Sequence, residues 1–321
     1  MDFLRDDTEP GSEGRPMQLL LKDKAGNVID TLDVFGPDHG TQGVTLIEGY
    51  EGFYHVDRTD NRQTTAYGEG SQPSESPRVN ERPVKFKLGT QAATPAGWEA
   101  VENRLWRFIR FGADVWVRLH SALSAPRELK IRLNAKPKDL MLRGPGLIRT
   151  QVWEIDAYSW DPWWYSAMLT ASIKRSQMIE VSATTGNPQP GSGVWQGYLP
   201  LQNPADQRCW PEYSCNQLTN ATTVSLPDQL GARLVRLPVL NAGQEFYVRT
   251  DPDFATLMVR DLSQQWANMR TGEFSTEQLQ PNMVTPVNAP VRIVGGTPTT
   301  EIKVYLIQKW ERMFGGEVAI P

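Results

Sequence analysis

The sequence Trp160-Asp161-Pro162-Trp163-Trp164-Tyr165-Ser166 stands near the middle of the 321-residue chain, between stretches that have the alternating pattern of β-strands. Each Trp or Tyr buries on the order of 150–250 Å² when it packs, so this run is costly to leave in water. Pro162 fixes its own φ angle and favours an extended conformation before it, which excludes the interior of a helix. We therefore expect a rigid corner, at which one β-domain ends and the connection to a second begins.

Both flanks of this corner are rich in short strand patterns separated by turn residues. Before the corner these runs are Met17–Lys22, Val28–Leu32, Val115–His120, Glu128–Leu133 and Val152–Trp160. After it they are Val224–Leu226, Arg233–Leu237, Glu245–Arg249, Thr256–Val259, Val291–Val294 and Ile302–Ile307. Short strands at this spacing are typical of antiparallel sheets. The sequence therefore predicts a mainly β protein, with an N-terminal β-barrel or sandwich domain that contains one α-helix and a C-terminal antiparallel β-sandwich.

The predicted helix begins near Thr94 and Pro95, which suit the cap and the first helical position. Its apolar stripe recurs at spacings of three and four residues and consists of Trp98, Val101, Leu105 and Ile109. Trp106 and Phe108 lie beside the stripe and widen it. We expect this helix to pack on a sheet and also on a neighbouring chain.

The domain organisation follows from changes in composition. Residues 1–16 are polar and acidic and predict a flexible or partner-ordered arm, followed by an N-terminal domain over 17–181. Residues 182–193 are rich in turn formers and predict a linker to a C-terminal domain over 194–321. Residues 58–83 have almost no apolar content, which indicates a functional, partner-contacting or disordered loop.

Composition and charge exclude several classes of protein. The net charge is −4 with Lys and Arg dispersed, and no aromatic–basic interleaving is visible, so we expect no sequence-specific nucleic-acid binding. No apolar stretch is long enough to span a bilayer, and the N-terminus lacks a signal core, so we expect a soluble protein that stays in the cytoplasm of the synthesising cell. Without that signal, Cys209 and Cys215 are better read as free thiols than as a disulfide.

The sequence offers little catalytic or metal-binding chemistry. His39, His55 and His120 have no second ligand at metal-binding spacing, and no P-loop or nucleophile elbow is present. Two acid pairs, Glu154 with Asp156 and Asp251 with Asp253, could in principle serve a glycosidase, but such pairs are common on wet strands and in turns. We expect no cofactor, no metal and no enzymatic activity, with a glycosidase as a distant alternative.

Aromatic residues of the second half allow two interpretations. Trp195, Tyr198, Trp210 and Tyr213 could form a platform on which sugar rings stack. They could equally be core residues or interface anchors.

The chain resembles the distal tail protein family of long-tailed, non-contractile bacteriophages, including the minor tail proteins of phages that infect actinobacteria. The resemblance covers most of the chain, and its motifs are structural rather than catalytic. The residues that carry it are Asp161–Tyr165, Gly197–Gln207, Trp210–Pro211, Gly243–Pro252 and Lys309–Arg312.

The resemblance implies an N-terminal belt domain that forms a six-membered ring at the end of the tail, around the lumen through which DNA leaves. It implies a galectin-like C-terminal domain that need not bind sugar. The expected partners are copies of the chain, the tail tube protein, the tail-tip hub protein, the tape measure protein and receptor-binding proteins. The expected location is the virion tail tip, after assembly in the host cytoplasm. A carbohydrate-binding adhesin of the tail tip is the second reading.

A ring of this kind needs two different, complementary faces on each subunit. The aromatic residues of the helix and of the corner are the candidates for such contacts. They are Trp98, Trp106, Phe108, Trp163 and Trp164.

Overall fold

The protein is described from a computed structural model. The residues that it describes are 16–36, 40–47, 50–60, 77–121, 124–139, 149–216, 222–239, 245–251, 257–259 and 275–316. The predicted arm over 1–16 therefore lies outside the description except for Pro16, as does His39. The loop predicted over 58–83 is described only at its two ends, where Arg58–Thr59 pairs with Arg78–Val79.

The chain divides into two compact units. Of the described residues, the first unit holds those of Met1–Ser166 and Trp310–Gly316, and the second holds those of Ala167–Lys309. The chain thus leaves the first unit at the aromatic corner and returns to it near the end. This division lies before the segment 182–193 that the sequence predicted as a linker, and that segment forms turns inside the second unit.

The first unit contains one large antiparallel sheet, a two-stranded sheet and the single α-helix of the described residues. Its elements are β1 (Met17–Lys22), β2 (Val28–Phe35), β3 (Val44–Leu46), β4 (Arg58–Thr59), β5 (Arg78–Val79), β6 (Arg82–Gln91), α1 (Pro95–Phe108), β7 (Asp114–Leu119), β8 (Arg127–Leu133), β9 (Lys138–Asp139), β10 (Thr150–Ser159) and β11 (Trp164–Tyr165). The large sheet runs in the order β2-β1-β7-β8-β10-β6-β3. It is nearly closed into a barrel, and the Asp33 amide in β2 donates to Gln42 Oε1 just before β3 at 2.9 Å.

Helix α1 forms where the sequence predicted it. The Thr94 side chain accepts a hydrogen bond from the Gly97 amide at 3.1 Å, and Pro95 occupies the first helical position. Leu105 and Phe108 are fully buried, so the apolar stripe faces the core of the first unit.

The second unit is a β-sandwich of two five-stranded antiparallel sheets. Its strands are β12 (Leu169–Lys174), β13 (Ile179–Glu180), β14 (Val194–Asn203), β15 (Pro211–Asn216), β16 (Thr223–Asp228), β17 (Arg233–Arg236), β18 (Phe246–Arg249), β19 (Leu257–Val259), β20 (Met283–Val294) and β21 (Glu301–Leu306); β22 (Lys309–Trp310) spans the return to the first unit. One sheet has the order β12-β21-β15-β18-β19 and the other β13-β14-β20-β16-β17. The predicted mainly β class is confirmed.

Among the described residues, the core of the sandwich is an apolar cluster with side chains from both sheets. Fully buried side chains such as Leu199, Val291 and Val304 alternate with outward residues along their strands. At Gly197 an added Cβ would lie 2.4 Å from the Ile173 side chain, so a larger residue here would have to displace Ile173. Short 3-10 helices at Arg175–Gln177 and Gln229–Gly231 connect strands of this unit.

Candidate interaction surfaces

The aromatic corner is built around Trp164, which is fully buried. Its indole Nε1 donates to the Phe53 carbonyl at 3.0 Å, and the two rings pack edge to face with centroids 5.9 Å apart. The Tyr165 hydroxyl donates to the Asp161 carboxylate at 2.5 Å, which fixes the turn around the proline. The sequence proposed Trp164 as a partner contact, and this was wrong because the ring fills the core of its own unit.

Beside the corner lies an open groove of about 580 Å³. It is lined by Trp160, Pro162 and Trp163 on one side and by residues 78–81 on the other. Trp160 is 42% exposed, and Trp163 is half-buried. Trp163 therefore keeps the accessibility that a partner contact needs.

The sheet next to the groove combines cations with aromatic rings. Lys130 Nζ and the Arg132 guanidinium lie 4.7 and 4.8 Å from the centre of the Trp160 ring, which is cation–π geometry. Both cations also pair with Asp114, at 2.8 and 2.5 Å. The sequence showed no such interleaving because these residues come from different strands. Since the two cations share a carboxylate, this patch is not a free positive stripe.

Helix α1 presents a buried carboxylate, that of Glu102, to two tryptophan side chains of the first unit and to the Thr90 hydroxyl. Trp106 Nε1 donates to Glu102 Oε2 at 2.8 Å, and Trp153 Nε1 donates to Glu102 Oε1 at 2.9 Å. The Thr90 hydroxyl also donates to Glu102 and accepts from Trp98 Nε1 at 3.2 Å. Trp98 and Trp106 thus turn their nitrogen atoms inward and stay half-buried, which leaves part of each ring accessible.

Phe108, the remaining helix residue proposed as a contact, is fully buried. It lies at the end of α1, beneath the helix and against the sheet, so no partner can reach it. Phe108 does widen the apolar stripe, as the sequence predicted, but its assignment as a partner contact was wrong because its ring is packed in the core of the first unit.

Two buried arginines hold the returning segment 310–316 in the first unit. The Arg127 guanidinium lies 3.8 Å from the Trp310 ring centre and donates to the carbonyl oxygens of Arg312 and Gly315, both at 2.8 Å. Trp310 Nε1 donates to Ser166 Oγ at 2.9 Å. The two points at which the chain crosses between the units are therefore hydrogen-bonded to each other.

Arg82 is the second of these arginines and is fully buried. It donates to three carbonyl oxygens, those of Pro162 at 2.7 Å, Gly52 at 2.9 Å and Glu311 at 2.5 Å. The Glu311 carboxylate in turn pairs with Arg58 at 2.9 Å. The corner, the loop at Gly52 and the returning segment thus meet at one side chain.

The inward positions of both arginines were not predicted, although the strand pattern contains a signal for them. Arg82 has the same parity in its strand as Val84 and Phe86, and Arg127 has the same parity as Leu129 and Ile131. Side chains two apart in a strand share a face, so each arginine occupies an inward position of a strand.

The four aromatic residues proposed as a sugar platform do not share a surface. Tyr213 is fully buried in the sandwich core, and burial raises the pKa of its hydroxyl. Trp195 packs against the same core, with the Arg175 guanidinium 4.6 Å from its ring centre, whereas Tyr198 is 50% exposed on the other face of β14. Trp210 is half-buried just before β15. The predicted platform was wrong, because strand alternation sends these rings to opposite faces.

The acidic pairs do not form an acid–base site among the described residues. Glu154 accepts a hydrogen bond from Lys138 Nζ at 3.0 Å, and this contact lowers the pKa of its carboxyl. Asp156 accepts from Asn134 Nδ2 at 3.2 Å. Asp253 lies outside the described residues, so its predicted pair with Asp251 is not placed.

The described histidines also lack the arrangement of a metal site. His55 is mostly exposed, with Nδ1 3.6 Å from Glu311 Oε1, and His120 Nε2 lies 3.2 Å from Gln18 Oε1. Within the ranges given above, no three ligand-type side chains gather around a point that could hold a metal ion. In the same ranges no helix has the length and apolar character to cross a membrane. Cys209 and Cys215 are free thiols, as predicted, and both are buried.

Comparison of the sequence alone gives no relatives: no family model matches the chain, and no curated protein does. Solved structures do match. The chain is similar to SPP1 Dit (gp 19.1), described as a paradigm of the hub adsorption apparatus in phages that infect Gram-positive bacteria, with a TM-score of 0.57 and 13% identity over 91% of this chain and 98% of that chain.

The chain is also similar to a chain of the phage P2 baseplate in its activated conformation, in structures with Ca and with Sr. Both comparisons give a TM-score of 0.56 and 11% identity, over 93% of this chain and 99% of that chain. The chain shares the fold of these phage proteins. Since each match covers nearly the whole length of this chain and of the matched chain, it includes both units.

Proposed function

We propose that this protein is a structural component of a phage tail tip. Copies of it form a ring, with six members, that joins the tail tube to the tail-tip hub and leaves a lumen for DNA. The observation that carries the proposal is the shared fold over nearly the full length of this chain and of SPP1 Dit. The same architecture in SPP1 Dit and in a chain of the phage P2 baseplate, at identities of 11–13%, supports a common structural role.

The first unit offers surfaces suited to a ring. A heterologous ring needs two distinct patches on each subunit, and aromatic residues are enriched at such interfaces. One patch is the half-buried pair Trp98 and Trp106 on α1, and the other is the groove at Trp160 and Trp163. We propose that these two patches meet between neighbouring copies.

The remaining partners follow from the place of such a ring. They are the tail tube protein, the hub protein, the tape measure protein and receptor-binding proteins, in a virion assembled in the host cytoplasm. We propose that the protein is not an enzyme and needs no cofactor. For the pair Glu154 and Asp156, the engagement of Glu154 by Lys138 argues against glycosidase chemistry, because a carboxyl with a lowered pKa is a poor general acid.

Labelling of intact particles tests the proposed location. Purified particles of the phage that encodes this chain are incubated with gold-conjugated antibody raised against the purified protein and imaged in negative stain. Gold at the distal end of the tail, at one site per particle, supports the proposal. Gold along the tube or on the head, or particles in which the chain is absent by mass spectrometry, contradicts it.

A further inference from the structure

The outer face of the β12-β21-β15-β18-β19 sheet carries a cluster of aromatic and polar side chains that the fold match does not explain. Tyr213 and Cys215 of β15 point into the core, so Glu212 and Ser214 of the same strand point outward. Glu212 lies opposite Tyr305 of β21 on one side and Arg249 of β18 on the other.

Two tyrosine rings lean over the central strand of this sheet. Tyr247 of β18 and Tyr305 of β21 flank β15, and strands two apart are separated by roughly 10 Å. Their ring centroids are only 6.1 Å apart, with an angle of 49° between the ring planes. The rings therefore incline toward each other across β15 and form a shared floor, and both remain partly exposed.

The hydroxyl groups of these tyrosines are held from below. Tyr247 donates to the Glu212 carboxylate, and the Tyr305 hydroxyl lies 3.0 Å from Ser214 Oγ. Burial under the rings raises the pKa of Glu212, although the nearby Arg249 acts against this effect. Fixed hydroxyl groups give fixed ring orientations, so the floor is preorganised.

Two cationic side chains border the tyrosine floor, and each is paired with a carboxylate. Arg249 Nε lies 3.4 Å from Glu212 Oε1, with the guanidinium 5.9 Å from the Tyr247 ring centre. On the other side, Lys303 Nζ lies 3.4 Å from Glu301 Oε2. Both cations keep exposed donor surface while their charge is matched by a carboxylate.

We propose that these five residues, Glu212, Ser214, Tyr247, Arg249 and Tyr305, form a binding site for a neutral saccharide. The flat apolar face of a pyranose ring stacks on aromatic side chains. Its hydroxyl groups point outward from the edge of the ring, so they need hydrogen-bonding groups beside the aromatic surface. The rings of Tyr247 and Tyr305 supply the stacking surface, and Arg249 at its border supplies exposed hydrogen-bond donors. Balanced charge favours a neutral sugar over an acidic one, since a uronic acid would compete with Glu212 for Arg249. This site is independent of the ring proposed above.

Binding is tested with the full-length protein on an array of neutral and acidic glycans, followed by calorimetric titration of the strongest neutral glycan. Tyr305→Ala and Tyr247→Ala each remove half of the floor and are expected to weaken binding by about tenfold or more. Tyr305→Phe keeps the ring and is expected to stay within about threefold of the unchanged protein. The matched control is Tyr198→Ala, which removes an exposed tyrosine from the other sheet and should leave affinity unchanged.

Melting curves accompany each variant. If Tyr305→Ala lowers the melting temperature, Arg249→Gln is the deciding variant, because it leaves both tyrosine rings in place. It is expected to weaken binding by about threefold or more. The proposal is overturned if no neutral glycan binds, if only acidic glycans bind, or if Tyr198→Ala weakens binding as much as the floor variants do.

Discussion

The Arg127 guanidinium lies 3.8 Å from the centre of the Trp310 ring, and the two residues come from the two separate chain segments of the first unit. Through this pair the segment 310–316 becomes part of the core of a unit that otherwise ends at Ser166. The second unit is therefore an insertion in the first, and the first unit is complete only when both of its segments are present.

Replacing Arg127 should destabilise the first unit selectively. Arg127→Ala removes a desolvated cation–π contact and two charge-assisted hydrogen bonds, and it leaves two carbonyl groups without a donor. We expect a loss of about 3 kcal/mol. Native-state hydrogen exchange of the β6 and β8 amides measures this loss of stability, because exchange is read residue by residue and so reports on the first unit separately from the second.

Arg107→Ala, an exposed arginine near the end of α1, is the matched control and should change the same amides by less than about 0.5 kcal/mol. Equal effects of the two variants would show that the contact with Trp310 contributes nothing.

Gly52 should tolerate no side chain. Its φ is +83°, and an added Cβ would lie 1.9 Å from the Pro83 carbonyl oxygen, beside the loop that Arg82 holds. Gly52→Ala must move the backbone, and we expect a loss of about 3 kcal/mol or more in exchange-derived stability of the first unit. Gly112→Ala is the control, because Gly112 has a φ of +73° but open space around it, and should lose about 1 kcal/mol. A similar loss of stability in the two variants would contradict the claim that the contact with the Pro83 carbonyl oxygen requires glycine at residue 52.

Replacing the two adjacent tryptophans of the corner should have different effects, one on folding and the other on assembly. Trp164→Ala deletes a fully buried ring and is expected to cost about 3–5 kcal/mol of stability. Trp163→Ala removes a half-buried ring from the groove, and it should cost less than about 1.5 kcal/mol while raising the concentration needed for assembly by about tenfold. Stability comes from chemical denaturation and assembly from sedimentation. A Trp163→Ala protein that assembles normally would exclude the groove from the interface.

The second unit should lose stability at alkaline pH. Burial raises the pKa of both Cys209 and Cys215 from 9.0 to about 12. A raised pKa in the folded state means that the stabilisation is complete below pH 9 and is lost between pH 9 and about 12, at up to about 1.4 kcal/mol per pH unit for each thiol. Urea denaturation monitored between pH 7 and pH 10.5 measures this slope. In the double variant Cys209→Ala/Cys215→Ala the slope should be shallower; an unchanged slope would assign the effect to other groups.

Much of the fold was predictable from local patterns. The strands β7 and β8 and the helix start at Thr94 follow from strict alternation and from capping chemistry, both of which act over a few residues. The domain boundary could not be predicted from composition. Segment 182–193 has the composition of a linker, but its turns are tied to the sandwich by Glu180, which accepts from the Gly191 and Gly193 amides.

The candidate surfaces were predicted only in part. Trp98, Trp106 and Trp163 are accessible, whereas Phe108 and Trp164 belong to the core. An aromatic residue in the sequence is equally consistent with burial and with binding. Whether its ring is buried depends on which residues, distant in the sequence, pack over it. The tyrosine floor escaped detection for the same reason, since Tyr247 and Tyr305 meet only through the pairing of both strands with β15.

The mass of the purified protein in solution tests the ring most directly. Light scattering coupled to size exclusion, over a range of concentrations, should give a species of six times the 36.1 kDa of one chain, with a central hole visible in negative stain. A mass of one chain at every concentration, both alone and with the tail tube protein added, would contradict the account.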